Sequence, residues 1–466
     1  MYYNYFQNYR QSNYNTAGAP KTKKVEAAAV NNNAAKTSFC AATNPIINEI
    51  PYDKAKTASP LRTRLTGKDE IDKYNTVLKN CDKDTKKHID ALLKGGILLN
   101  NDSNDKTSVL DNLYKIATTP RAQGLNNQSI LKDTVEALLN PYIINQQFGD
   151  IPANYSEGAV DAYLGTEKND PSKRAQAKQD INVPYSGTCV AASIEFNLAK
   201  KHPAEYARFA NGLSSPEMAV DKEISLKNLT EKSLDAVWLL NAFEIPHKTK
   251  GFDKTVLKIA PDKNAIVRAQ IQTTNRDAGE RSSVDVLMQS AFMNVGSQQT
   301  YNSLSDKRSG KFNSNDKGLI EFEKTFTESI VEDKNKMSVT YQKVDDNGHL
   351  VGYETDFNTI KKQISDAIKA GENVIIGYTE VDEHNEIIGG HEITITDIKT
   401  DKNGKMIFVC NDTDDGISKP IEYSEDYLVP KIHHAALPQE IVQNDIQITD
   451  NWVEGLKSYK EMKMAA

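Results

Sequence analysis

Residues 184–203 read PYSGTCVAASIEFNLAKKHP. Pro184, Ser186 and Gly187 are turn formers. After Cys189 come Val190, Ala191, Ala192, Ile194, Phe196, Leu198 and Ala199, a mostly apolar run that ends in Lys200-Lys201. The pattern predicts a buried helix with Cys189 at or near its first turn. A helix N-terminus presents unpaired N–H groups and roughly half a positive charge, which favours thiolate over thiol. Gly187 lets the backbone approach a ligand closely. The plain alternative is a small buried hydrophobe, as most free cysteines are.

A thiolate nucleophile needs a general base, and the base needs an orienting group. Of the eight histidines, His391 opens an alternating run, GGHEITITDI, in which His391, Ile393 and Ile395 share one face. The segment KTDKNGK (399–405) then turns the chain, and MIFVCNDTDDG returns antiparallel. The returning strand ends at Asn411-Asp412, beside the start of the first, so Asn411 or Asp412 can accept the imidazole N–H. Upstream, Phe357, Ile360, Ile364 and Ile368 form a helical stripe ending at Gly371, and NVIIGYTEV (373–381) reads as a buried strand. Helix, strand and hairpin together place His391 on a sheet facing the helix that starts at Cys189.

This order of Cys, His and Asn/Asp resembles the papain-like cysteine peptidase superfamily, transglutaminase-like relatives included. In its signature C-G-[SA]-C-[WY], Gly187 and Cys189 match, while Ser186, Thr188 and Val190 depart. IGGHEITITDI resembles the family's His strand and FVCNDTDDG its Asn strand. The ending also resembles the V-x-N-D-P type of a bacterial branch in which the acid is the third member, so Asn411 and Asp412 both stay open. The resemblance covers roughly 175–240 and 350–420. It implies an α+β papain-like fold, with the Cys-bearing helix packed on an antiparallel sheet bearing His391 and Asn411/Asp412. It also implies thiol-dependent cleavage of a protein or peptide amide bond. Cys189 would attack, His391 would move the proton, and Asn411 or Asp412 would fix the tautomer. Two other readings remain: a transglutaminase-like acyltransferase with the same triad, and a catalytically silent binding module. Family members carry a Gln about six residues before the Cys; position 183 is Val, so Asn182 is the expected oxyanion donor and Gln179 the weaker choice. Cys189 and His391 are 202 residues apart, against about 130–150 in the papain pattern. The excess predicts an insertion near 250–335, a lid or recognition subdomain.

The rest of the chain divides into further parts. Residues 1–60 hold an Asn- and Tyr-rich stretch and then EAAAVNNNAAK, without a helical or strand period, and predict a disordered tail. Residues 61–145 predict a small all-α domain. Tyr74, Val77 and Leu78 recur at helical spacing, as do Ile89, Leu92 and Leu93 before Gly95-Gly96, and two more helices lie around Val109–Ile116 and Ile130–Leu139, the last stopped by Pro141. Residues 146–440 are the expected catalytic domain, entered through a polar linker over 146–185, and 441–466 a helical C-terminal extension. Residues 189–245 read as helical, and strands dominate from 338.

Composition narrows the function. Lys and Arg total 57 against 64 Asp and Glu, a net charge of −7, which offers no global field for nucleic acid or anionic lipid. No run of about 18 apolar residues exists to span a membrane. MYYNYFQNYRQ lacks the apolar core of a signal peptide, so the expected location is cytoplasmic, or export by a non-Sec route. Cys40, Cys81, Cys189 and Cys410 lie far apart, which excludes a disulfide scaffold and a C-x-x-C zinc ribbon. His391-Glu392 is not H-E-x-x-H, because position 395 is Ile. NNDSNDKTSVLD (100–111) lacks the Gly and final Glu of a calcium loop. His433-His434, in PKIHHAALP, reads as an edge segment and a rival base. No cofactor and no metal is assigned; the expected partner is a protein or peptide substrate, and the oligomeric state stays open.

Overall fold

The computed structural model describes residues 61–442 except 184–185, 231–232, 278, 311–317, 346 and 415. The expected tail (1–60) and nearly all of the expected C-terminal extension lie outside the described residues.

Four helices open the described chain: α1 (Lys68–Lys79), α2 (Lys83–Lys94), α3 (Val109–Thr118) and α4 (Asn127–Leu139). Their ends follow local chemistry. The Asp82 carboxylate accepts the N–H groups of Asp84 and Thr85 to start α2, and Gly96, at φ +77°, turns the chain beyond it. Ser108 and Asp111 form a reciprocal capping box on α3.

The expected linker over 146–185 instead contains two helices, α5 (Ala153–Leu164) and α6 (Pro171–Asp180). Asp170 caps α6 and Pro171 opens it. Arg174 reaches Glu157 and Asp161, and Lys178 reaches Glu157, which ties the pair together. Their apolar contact is a small cluster around Ala159, Val160, Ala177 and Ile181. Helices with so small an apolar face leave little hydrophobic period to read.

Next come α7 (Cys189–Lys201) and α8 (Pro203–Leu213), then β1 (Val220–Ser225), α9 (Ser233–Ala242), β2 (His247–Lys250) and β3 (Lys254–Ile259). The strands form a small antiparallel sheet in the order β1-β3-β2, where the sequence pattern predicts helix through to 245. Three helices follow: α10 (Ala265–Asn275), α11 (Ser283–Gly296) and α12 (Glu321–Glu332).

The expected insertion is not a peripheral lid. α11 is buried along its whole length, and Phe292 on α11 and Phe326 on α12 share one apolar cluster with Phe196 on α7. The same cluster contains Val77, Ile89, Leu113 and Val135, so the core runs across the expected division at 145/146.

The second half is a mixed helix–sheet layer. It comprises β4 (Lys336–Thr340), β5 (Gln342–Val344), β6 (Leu350–Tyr353), α13 (Phe357–Lys369), β7 (Val374–Val381), β8 (Ile387–Thr400), β9 (Met406–Asn411), β10 (Ile421–Ser424) and β11 (Ile432–Pro438). Six strands pair antiparallel in the order β10-β9-β8-β7-β11-β4. On one face Ile376, Ile393 and Ile395 pack with Ile360 and Ile364 of α13 in a second core. On the other, Ile375 joins the first core with α7 and α12. The chain is therefore an α+β protein with antiparallel sheets. Among the described residues no helix is long and apolar enough to cross a membrane.

Candidate active site

Cys189 is the first residue of α7, half-buried, and the loop before it is pinned by a buried polar node. The Gly187 N–H donates to Asp306 Oδ2 at 2.8 Å. Thr188 Oγ1 donates to Gln289 Oε1 at 3.0 Å and accepts from Arg281 Nη2 at 2.5 Å. Arg281 also donates to Ser186 Oγ, lies 3.3 Å from Asp306 Oδ1 and stacks over the Phe148 ring. Asp306 accepts a further bond from the Tyr301 hydroxyl. Arg281 and Asp306 are wholly buried, so each is paid for by the other and by these neighbours.

His391 stands near the start of β8, opposite Tyr378 of β7. Its Nε2 is 2.7 Å from Asp412 Oδ1. Its side chain is 17% exposed, and that of Asp412 11%. The Cys189 side chain lies near enough to the imidazole to favour its charged form. Burial works against a charged imidazole, but the Asp412 carboxylate and the Cys189 side chain outweigh it and hold His391 well above its ordinary value. Burial likewise opposes ionised Asp412, yet His391 and the Asp414 N–H keep that carboxyl below its ordinary value. Just before His391, Gly389 has open space where a side chain would be.

The carboxylate bonded to the imidazole is Asp412; no such bond is made by Asn411. Adjacent residues of an extended strand point to opposite faces. Asn411 pairs with Thr394 in the ladder and is buried, with its Nδ2 unbonded. Asp412, one residue on, faces His391.

Asn182 lies two residues past α6 and is exposed, as is Gln179. The amide built in beside Asp412 is Gln146. Its backbone N–H donates to Thr413 O at 2.9 Å, and its Oε1 accepts from Thr413 Oγ1 at 2.9 Å. Its carbonyl accepts from Arg281 Nε at 2.6 Å. The 145–147 segment thus joins the loop before Cys189 to the loop after Asp412. Nothing local in Asn145-Gln146-Gln147 announces this, because the contacts cross more than 130 residues.

His433 and His434 are not at a domain edge. They are buried in β11, between β7 and β4, and His434 Nε2 lies 2.9 Å from Glu392 Oε1. They do not reach Cys189's partner set. His384 is exposed.

The other described thiols have different surroundings. Burial, with Asp82 adding, pushes Cys81 up to about 11. Burial, then Asp412, pushes Cys410 up as well. We expect iodoacetamide near neutral pH to label Cys189 at least about tenfold faster than Cys81 or Cys410, read by peptide mass spectrometry. Equal, slow labelling of all three would remove the case for an activated thiol.

No protein-family model, no curated protein and no solved structure matches this chain.

Proposed function

We propose that the chain is a papain-like thiol hydrolase that cleaves an amide bond of a protein or peptide through Cys189, His391 and Asp412. The supporting observation is the His391 imidazole on the Asp412 carboxylate at 2.7 Å, with the Cys189 side chain among the groups that hold it charged. Cys189 Sγ attacks the carbonyl carbon and forms the C–S bond. His391 holds the thiol proton and passes it to the leaving amine as the C–N bond breaks. Water, deprotonated by His391, then cleaves the thioester and restores the thiol. The Cys189 backbone N–H serves as an oxyanion donor, a contribution worth about 10²–10³ in rate.

Quenched-fluorescent peptide libraries test the reading. Asp412→Asn is expected to lower kcat/KM by about 10²–10⁴, while Asn411→Ala changes it little. Asp412 raises the His391 pKa, so its removal should also move the alkaline limb of the rate profile to lower pH. A profile that stays put in Asp412→Asn would detach Asp412 from the imidazole's chemistry.

The acidic third member favours a second reading, acyl transfer to an amine. Incorporation of a fluorescent amine into a glutamine-bearing protein, exceeding hydrolysis, would select it.

A further inference from the structure

Behind the sheet strand that carries His391 lies a second group of side chains, which the proposed hydrolysis does not use. His433 and His434 are consecutive in β11, and consecutive strand residues normally point apart. Here β11 carries a bulge against β7: Ile432 pairs with Tyr378 and His434 with Gly377, leaving His433 as the extra residue. The two rings therefore converge, with Nδ1 of His433 2.8 Å from Nδ1 of His434. Glu321, the first residue of α12, brings a carboxylate to the same point, and ligand atoms of all three residues lie within 4.8 Å of one another. We propose that Glu321, His433 and His434 form a binding site for a transition-metal dication of the zinc class.

The surroundings are built as such a site requires. Glu392 Oε1 lies 2.9 Å from His434 Nε2. That carboxylate is a charge beside the ring, not a hydrogen-bond acceptor in this geometry; it favours the tautomer protonated at Nε2, whose Nδ1 lone pair faces His433. The hydroxyls of Ser338 and Thr340 donate to Glu321 Oε1, at 2.8 and 2.5 Å, which steadies the carboxylate and leaves Oε2 for the ion. The nearby cation, Lys324, is engaged elsewhere: its Nζ lies 3.2 Å from Glu392 Oε2 and 3.5 Å from the Ile375 carbonyl. Space is reserved as well. A Cβ on Gly377 would come within 2.3 Å of His434 Cε1 and 2.6 Å of Glu392 Oε1, so glycine is required for the ring to lie over β7. Two imidazoles and one carboxylate suit zinc and its neighbours, whereas calcium and magnesium need oxygen donors. Bound there, the ion ties α12 to β11 one residue behind the His391 position, through Glu392.

The test uses the untagged full chain carrying Cys189→Ala, so that no active-site thiolate competes. After chelator treatment, cobalt(II) is titrated and followed by visible absorption and calorimetry, and zinc is then added. The expected result is one equivalent of cobalt with ligand-field bands, displaced by zinc, and a zinc-dependent rise in melting temperature. Glu321→Gln keeps an oxygen for Ser338 and Thr340 and should fold normally by circular dichroism, yet weaken cobalt binding by at least about tenfold. His434→Gln should abolish the bands. Absence of a one-equivalent site in the parent, or an unchanged site in folded Glu321→Gln, overturns the assignment.

Discussion

Cys189→Ala is expected to lower turnover of any cleaved peptide by at least about 10⁴, while leaving the fold intact. The size follows from the proposed role, in which no thioester could form without the sulfur and His391 could activate only water. The fold should survive because the sulfur sits half-buried at the first residue of α7, packed against the edge of an apolar cluster whose fully buried members on that helix begin at Val190. Loss of one partly exposed sulfur removes little packing. Circular dichroism and a thermal melt should match the parent. Activity that persists in this variant would place the nucleophile elsewhere.

Arg281→Met is expected to produce the largest stability loss, about 3–5 kcal/mol, because it leaves Asp306 buried without its counter-charge. Arg281 also donates to Gln146 O, Ser186 and Thr188, so the loop before Cys189 and the segment beside Asp412 lose their common anchor. The measurable result is a melting temperature lower by several degrees, together with slower iodoacetamide labelling of Cys189. Arg281→Lys should recover part of the stability, since a charge returns. It should recover little of the labelling rate, since an ammonium cannot reproduce the planar fork. A melting temperature within experimental error of the parent in Arg281→Met would falsify the anchoring role.

Much of the candidate site was legible because its elements are local. The helix beginning at Cys189 follows from turn formers ahead of an apolar run. The β8–β9 hairpin follows from alternation and from Asn403-Gly404, where Gly404 adopts φ +82°. The α13 stripe likewise needs only its own 13 residues. Where side chains were to meet across long separations, the reading stopped. Asn411 and Asp412 are equivalent by distance along the chain; the ladder register separates them, because one residue of register reverses the face. Nearness in sequence to Cys189 points to Asn182, whereas tertiary contact brings Gln146 to Thr413. The polar stretch 146–185 hid two helices whose apolar contact is only the small cluster around Ala159, Val160, Ala177 and Ile181. The polar loops of 250–335 suggest an insertion, yet its helices α11 and α12 lie in the main core.

The sequence by itself determined the local framework: where Cys189 opens a helix, where His391 enters a strand, and the absence of any long apolar span. Periodicity, turn residues and charge act within a few residues of themselves, so those features need no knowledge of the rest. Only the tertiary structure decided that Asp412 faces the imidazole, that Arg281 and Asp306 hold the loop before Cys189, that Gln146 bridges the two halves, and that a bulge turns His433 and His434 toward Glu321. Each of these depends on register or on contacts across tens to hundreds of residues, and such contacts carry no local pattern.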